Sequence, residues 1–274
     1  MEYVYVNAQL VRKEEASLPI TDLAILRGYG IFDFFMLHQG RPLFFDAHWE
    51  RLQASACAMQ LVVPFSKENA LEMIATLHAH MPYALAGVRI TLTGGNSVDG
   101  YNPGPVANSL VTLMPLQHFP EQVEEKGIAL MTYQYQRPLP QVKTIDYTIG
   151  ILLLPQAKQN GFDEILFVQD GKVSESPRSN VFAVTQNGTL ITPKGNVLNG
   201  ITRMRILQHA ATLMPVEEGN ITLQELCRAS EVWISSTTKG ISPVRQIDQH
   251  VIGDGTTGLV TKNLYSLLLK EMNG

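Results

Sequence analysis

Cysteine is nearly absent: Cys57 and Cys227 are the only two in 274 residues. Neither lies in a CxxC pair or a Cys/His cluster, which argues against a structural zinc and against a disulfide framework. Two buried thiols in a cytoplasmic protein are expected. The seven histidines are scattered. Only His78 and His80 come close, and an i, i+2 spacing points them apart on a helix, so no metal site is expected. Charged residues are also scarce, at 17%, with a net charge of −4. No basic block or RNA-reading motif is present, which argues against a nucleic-acid partner. No apolar run approaches the roughly 20 residues that a membrane span requires. The first fifteen residues have neither a basic n-region nor an apolar h-region, so no signal peptide and no membrane association are expected. No internal repeat or low-complexity segment is found.

What remains is a chain that can build a substantial core. Hydrophobic residues make up 45%, and the length suits two moderate domains or one large one. From the N-terminus, strands are predicted at Tyr3–Asn7, Gly30–Leu37 and Pro42–Phe45, the last two as a hairpin. Asp46 reads as the N-cap of a helix through Met59, with Leu52, Cys57 and Met59 on or near its buried side. Ser66 caps a second helix ending near His80. Strands follow at Val88–Thr93 and Ser109–Leu113. The Gly/Pro-rich stretch Gly94–Pro105 between them is too long for a simple hairpin, and such loops often line sites.

After a Pro/Gln-rich stretch the pattern changes. A strand is predicted at Ile128–Tyr133 and a helix from after Thr144 to about Asn160. Strands are predicted at Glu164–Val168, Asn180–Val184, Leu190–Thr192 and Glu231–Ser235. Helices begin near Ile201 and Leu223, and an amphipathic helix at Leu259–Met272 closes the chain. The alternation predicts an α/β (α+β) fold divided into a small N-terminal domain at 1–115, a linker at 116–126 and a larger domain at 127–274.

A few polar residues in this frame could carry chemistry. Lys143 ends an extended stretch just before a helix. There its amine can be held against a sheet and partly desolvated, which suits covalent capture of an aldehyde. Taken alone it reads equally as a solvated lysine at a helix start. Glu175 lies in a turn-and-strand segment, GKVSESPRSNVF from Gly171 to Phe182. A carboxylate there could keep a pyridine nitrogen protonated, or be an ordinary turn glutamate. The segment Leu198–Arg203 (LNGITR) joins a Gly-containing turn to a helix start. Its Ile201 and Thr202 amides and the Thr202 hydroxyl could face an anion. The hydroxyl-dense run Ser235–Gly240 is a second possible phosphate cradle. Ordinary capping accounts for either as well.

Together these segments resemble the class IV aminotransferases, the fold type IV pyridoxal 5'-phosphate (PLP) enzymes. That family includes branched-chain and D-amino-acid aminotransferases and aminodeoxychorismate lyases. Six motifs in order carry the resemblance. RGYGIFD at Arg27–Asp33 is similar to the family's early RGxGVFE strand. DAHWERL at Asp46–Leu52 is similar to its HxxRL helix. VKTIDY at Val142–Tyr147 resembles the segment around the Schiff-base lysine, and VSESPRSNVF at Val173–Phe182 resembles TEGSSSNVF. LNGITR is similar to LxGITR, and SSTTKGISPV at Ser235–Val244 to SSTTxEITPV.

The resemblance implies a two-domain enzyme with PLP in the interdomain cleft and Lys143 as the Schiff-base lysine and proton carrier. Glu175 would meet the pyridine nitrogen. Arg51, Thr202, Thr237 and the amides near Ile201 would hold the phosphate, with Tyr147 and Leu198 also lining the cofactor. Phe32, Arg178 and Thr238 are left as substrate-side residues. Arg178 stands within the family's usual serine run, and a guanidinium fork there suits a carboxylate; an ion pair on the strand edge is the alternative. The implied reaction moves an amino group between an amino acid and a 2-keto acid. A homodimer with a shared active site is implied as well, the 94–105 loop helping to shape the pocket. Two other functions fit the same motifs: an aminodeoxychorismate lyase releasing pyruvate and 4-aminobenzoate, and a non-catalytic PLP-fold binding protein. The lyase-type loop carries an arginine where this chain has Asp99. Branched-chain enzymes carry an arginine shortly after the Phe-Glu pair, where Phe34–Leu37 offers no cation.

Overall fold

The computed structural model describes residues 2–119 and 121–273; Met1, Gly274 and Pro120, the last within the 116–126 linker of the sequence division, lie outside the described residues. The chain packs as two compact units, Met1–His118 with Val142–Asp146, and Phe119–Gln141 with Tyr147–Gly274.

The first unit is built on six antiparallel strands: β1 (Tyr3–Val6), β2 (Gln9–Arg12), β3 (Gly30–His38), β4 (Arg41–Pro42), β5 (Leu85–Thr93) and β6 (Ser109–Pro115). Their order is β2-β1-β6-β5-β3-β4. Its helices are α1 (Leu23–Arg27), α2 (Phe45–Ala58) and α3 (Lys67–His80). Ile31, Phe35 and Leu37 of β3 pack with Leu52 of α2 and with Ile74 and Leu77 of α3 in one apolar core. Ser66 caps α3 through a reciprocal capping box with Asn69, which satisfies two otherwise orphaned amides.

Three expectations are corrected here. The second arm of the hairpin is only Arg41–Pro42, because Phe44 turns left-handed (φ 54°) and starts α2 at Phe45. Phe45 then buries its ring edge-on against Phe35. Asp46 is therefore not the N-cap but a first-turn residue, and it pairs with Lys67 at 2.7 Å. Cys57 is exposed and Cys227 only half-buried. The buried stripe of α2 runs through Phe45, His48, Leu52, Ser55 and Ala56. Its 3–4 residue spacing leaves position 57 outside.

Val142–Asp146 joins this unit by pairing with β3. The Phe32 amide donates to the Lys143 carbonyl (2.9 Å) and the Ile145 amide to the Gly30 carbonyl (3.1 Å). β4 covers only Leu37 and His38, so the other half of that strand edge is taken by this segment. The helix expected to follow Thr144 therefore starts later, at Thr148.

The second unit holds β7 (Ile128–Gln134), β8 (Glu164–Gln169), β9 (Lys172–Val173), β10 (Glu175–Ser176), β11 (Ser179–Val184), β12 (Leu190–Pro193), β13 (Val216–Gly219), β14 (Ile221–Thr222), β15 (Glu231–Ser236), β16 (Gly240–Ile247) and β17 (His250–Val251). They form one sheet, β13-β12-β11-β15-β16-β7-β8-β9-β14, with β10 on β11 and β17 on β16. The pairs β12/β13, β16/β7 and β7/β8 are parallel. Its helices are α4 (Thr148–Gln159), α5 (Ile201–Ala210), α6 (Leu223–Cys227) and α7 (Leu259–Asn273). Leu153 and Ala157 of α4 pack on Ile165 and Phe167 of β8. Leu130, Leu166, Val181 and Ile234 anchor the main core. No helix among the described residues is long and apolar enough to cross a membrane.

Candidate active site

In the first unit, α2 carries Arg51 beneath β3. Its Nε and one terminal nitrogen fork onto the two carboxylate oxygens of Asp33, each at 2.8 Å. His48, one turn earlier on α2, lies 2.7 Å from Asp33 through Nδ1. Burial works to raise the Asp33 pKa, but the Arg51 charge and the bonds from His48 and Arg51 outweigh it and hold the carboxyl well below its usual range. Burial lowers the pKa of His48. Asp33 opposes that shift, while the charges of Arg51 and Lys143 add to it. The imidazole is thus neutral and donates its Nδ1–H to Asp33. The ion pair proper is Arg51–Asp33.

Lys143 is held at both ends of its peptide unit. Its carbonyl accepts from Phe32, and its amide donates to the Ser55 hydroxyl at 3.3 Å. Its ammonium lies 4.6 Å from the centroid of the buried Phe32 ring. The Arg89 guanidinium lies 4.1 Å from the same centroid. Arg89 pairs with Phe34 across β5 and β3, which puts Phe32 at its diagonal. The neighbouring strand thus places a cation beside Phe32, where Phe34–Leu37 of β3 offers none. The only linear signal for it was a lone charge inside the apolar run of β5.

In the second unit, Glu175 is buried, and both its oxygens are engaged. Oε1 accepts from Arg137 Nε at 2.6 Å and Oε2 from the Leu198 amide at 2.9 Å. Arg137 has no counterpart among the sequence-derived residues, and nothing in its Pro/Gln-rich surroundings marked it. Asn180, opposite Glu175 in the β10/β11 pair, donates to the Leu198 carbonyl at 2.8 Å. That bond docks the turn leading into α5. α5 starts at Ile201 with Gly200 as its N-cap and no side-chain cap, so its first amides and the half-buried Thr202 stand at an open helix start.

Asn180 also pairs with Ser235 across β11 and β15. The turn Pro177–Arg178 before β11 and the turn Thr237–Lys239 after β15 therefore share one end of the sheet. Thr237 is half-buried there and Thr238 exposed. The hydroxyls of Ser176, Ser179, Ser235 and Ser236 are buried without a hydrogen-bond partner among the described residues. Arg178 and Lys239 meet on the buried Glu164, at 3.4 and 2.7 Å from the same oxygen. Tyr147 is the N-cap of α4, whose Gly150 packs against Pro177.

The geometry thus gathers Glu175, Leu198, Ile201, Thr202, Thr237, Thr238 and Arg178 at one end of one unit, and Arg51, Phe32 and Lys143 around β3 of the other. No group of metal-ligating side chains is found among the described residues.

Several known proteins resemble this chain along nearly its whole length. It is similar to the D-alanine aminotransferase of Listeria monocytogenes, 31% identical over 98% of this chain and 96% of that protein. It is 29% identical to the D-alanine aminotransferase of Bacillus licheniformis over 97% of this chain and 95% of that one. Among solved structures it matches a T.th. branched-chain amino acid aminotransferase with pyridoxamine 5'-phosphate. That match has a TM-score of 0.91 and 26% identity, and covers 98% of this chain and 93% of that one. The Escherichia coli branched-chain amino acid aminotransferase gives 0.88 and 25%, with coverage of 98% and 93%. Residues 30–247 match the family model for amino-transferase class IV. The chain belongs to the class IV aminotransferase family.

Proposed function

We propose that the protein moves an amino group between an amino acid and a 2-keto acid, with Lys143 as the residue that holds PLP covalently and carries the proton. The observation that carries this reading is the clasp on Glu175. A buried carboxylate with one oxygen on Arg137 and the other on the Leu198 amide is held in place by a cation and a backbone donor, as a partner for a protonated ring nitrogen needs to be. The donor set around it fits a phosphorylated pyridine. An uncapped helix start favours a phosphate, and the unpartnered serine hydroxyls are the kind of buried donors that a ligand satisfies.

Bound PLP supplies an aldehyde to capture the amino group and a protonated ring to stabilise negative charge at the substrate α-carbon. Arg51, Thr202, Thr237 and the amide of Ile201 are the residues that would hold its phosphate, and Tyr147 and Leu198 those that would line its ring. Asp33 and His48 keep the Arg51 guanidinium oriented. The Lys143 amine would move a proton to and from the substrate α-carbon. Arg89, beside the same ring as Lys143, receives the α-carboxylate, and Phe32 backs the pair.

An aminodeoxychorismate lyase is disfavoured by Asp99. That carboxylate is committed to the amides of Tyr101 and Asn102 and to the Ser97 hydroxyl, so it braces its own loop. We place the protein in the cytoplasm, where an exposed free thiol such as Cys57 stays reduced. A homodimer fits the exposed Ile20, Ile25, Val98, Tyr101 and Val106. They lie on two segments tied by the Leu23–Gly95 and Ser97–Thr21 backbone bonds, and exposed apolar groups of this kind commonly mark an interface.

The test is borohydride reduction of the PLP-loaded protein followed by peptide mass mapping. A pyridoxyl adduct on Lys143 supports the reading, and an adduct on another lysine or none at all overturns it.

A further inference from the structure

We propose that Arg203 is the positioning residue for the phosphate end of the site: its guanidinium latches the first turn of α5 onto the edge of the sheet and so sets the grip on the cofactor phosphate. This rests on the proposed aminotransferase function and on the assignment of that phosphate to the start of α5.

The latch is a buried charge. Arg203 is the third residue of α5, with its side chain 8% exposed. One terminal nitrogen donates to the Pro193 carbonyl at 2.9 Å and to the Glu218 carboxylate at 2.7 Å. Pro193 ends β12, and Glu218 lies on β13, its parallel neighbour at the edge of the sheet. The guanidinium therefore ties the helix back to the strand from which residues 194–200 lead away. Its Nε is buried without a partner among the described residues, which adds to the cost of desolvating the charge.

Helix formation does not account for a cation here. The first turn of a helix disfavours positive charge, and that of α5 holds no acid to offset it. What Arg203 secures is the place where the helix begins. Ile201 and Thr202, whose amides suit an anion, are the two residues immediately before it.

The neighbouring contacts are held independently. Arg205 and His209 both pair with Glu271 of α7, and Ile206 and Ala210 are buried, so the body of α5 stays docked without the latch. The turn before the helix is held by the Asn180 bond to the Leu198 carbonyl and by the Leu198 amide on Glu175. Loss of Arg203 is thus expected to loosen the phosphate end and leave the ring end in place.

The test compares PLP with pyridoxal, which lacks the phosphate. Cofactor-free full-length protein is titrated with each, following the visible cofactor band, in wild type, Arg203→Met, Arg203→Lys, Glu218→Ala and the Arg203→Met/Glu218→Ala double variant. Wild type should bind PLP more tightly than pyridoxal. Arg203→Met is expected to lose about ten- to a hundredfold in PLP affinity with pyridoxal affinity unchanged, and Arg203→Lys should recover part of that loss. Glu218→Ala keeps the Arg203 charge but removes its anchor, and should weaken PLP by about three- to tenfold. The double variant should bind PLP no more weakly than Arg203→Met, because the two residues act as one unit.

A folded Arg203→Met protein that keeps the wild-type ratio of PLP to pyridoxal affinity overturns the proposal. So does an equal loss for both ligands, which marks a general loosening. Tighter PLP binding by Glu218→Ala overturns it as well, since Arg203 would then act as a charge on the phosphate and not as a latch. Glu218 is a third exposed, so that variant decides the matter alone if Arg203→Met does not fold. Any of these results with wild type carrying PLP on Lys143 sinks this inference only, whereas failure of wild type to load PLP sinks the functional reading beneath it.

Discussion

Arg51 forks onto Asp33 with two 2.8 Å hydrogen bonds in a setting where Asp33 is 1% exposed. Two buried charges in bidentate geometry are far costlier to break than to keep, because the survivor is stranded in low dielectric. Asp33→Asn is expected to destabilise the protein by about 3–5 kcal/mol. Urea unfolding of the cofactor-free variant measures this, with the shift appearing in the midpoint. PLP affinity should fall as well, since Arg51 would no longer be oriented.

His48 makes the same cluster a source of acid sensitivity. Its folded-state pKa lies below its ordinary value, so the unfolded chain takes up the proton first. Its contribution is present above about pH 6.5, the unfolded value, and is lost as pH falls. Asp33 acts lower down. Its depressed pKa adds stability that is present above the unfolded value of about 3.9 and is lost as pH drops further. Thermal melts from pH 8 to pH 4 should show Tm falling from about pH 6.5 downward. His48→Gln should flatten the upper part of that fall. A His48→Gln profile that parallels wild type would remove His48 from the account.

Much of this is legible from the sequence, and what is not has identifiable causes. Glu175 and the segments Leu198–Arg203 and Ser235–Gly240 stand out because their residue types imply local geometry, whereas Thr237 within the last is singled out only by the resemblance to the family. Arg89 and Arg137 do not stand out, because their placement comes from contacts between distant segments. Arg89 reaches Phe32 only through the β3/β5 register, and Arg137 meets Glu175 across 38 positions. The attachment of Val142–Asp146 to β3 is of the same kind. It depends on β4 being too short to cover the strand edge. Asp46 misleads as a cap because an aspartate before an apolar run carries the same signature in the first turn as at the N-cap. The left-handed Phe44 has no sequence signal of that sort.

The thiols give a direct check on α2. Cys57 is exposed, and Cys227 is half-buried with its pKa raised by burial and by the nearby Asp248 charge. Thiol reactivity follows the thiolate fraction and access. The native protein at pH 8 is expected to react with a maleimide first at Cys57 and more slowly at Cys227, as read by timed mass mapping. Equal rates would contradict the helix phase that places His48, Arg51 and Leu52 toward β3.

Arg137 should matter through Glu175 rather than through the substrate. Arg137→Gln removes the charged donor at 2.6 Å but leaves a polar side chain of similar reach. A hydrogen bond to a charged group is worth about 1.5–3 kcal/mol, so kcat is expected to fall by about ten- to a hundredfold. KM for the amino donor should change little if Arg137 acts only on the cofactor side. The pH at which the visible band shifts should also move. A rise in KM at constant kcat would assign Arg137 to substrate binding instead.

Gly200 tests the start of α5 by sterics alone. Its φ of −67° is open to any residue, so backbone strain is not at issue. A Cβ there would stand 2.1 Å from the Asn180 side-chain oxygen, closer than any tolerated contact. Asn180 cannot retreat without giving up its bond to the Leu198 carbonyl, and Leu198 in turn holds Glu175. Gly200→Ala should therefore loosen the turn, the helix start and the Glu175 clasp together. The expected result is a folded protein whose PLP affinity drops by at least about tenfold, measured by equilibrium dialysis, with a smaller change in unfolding midpoint than Asp33→Asn produces. Unchanged PLP affinity would mean that the amides at the start of α5 do not hold the phosphate, and the anion site would have to be sought at the Thr237 turn alone.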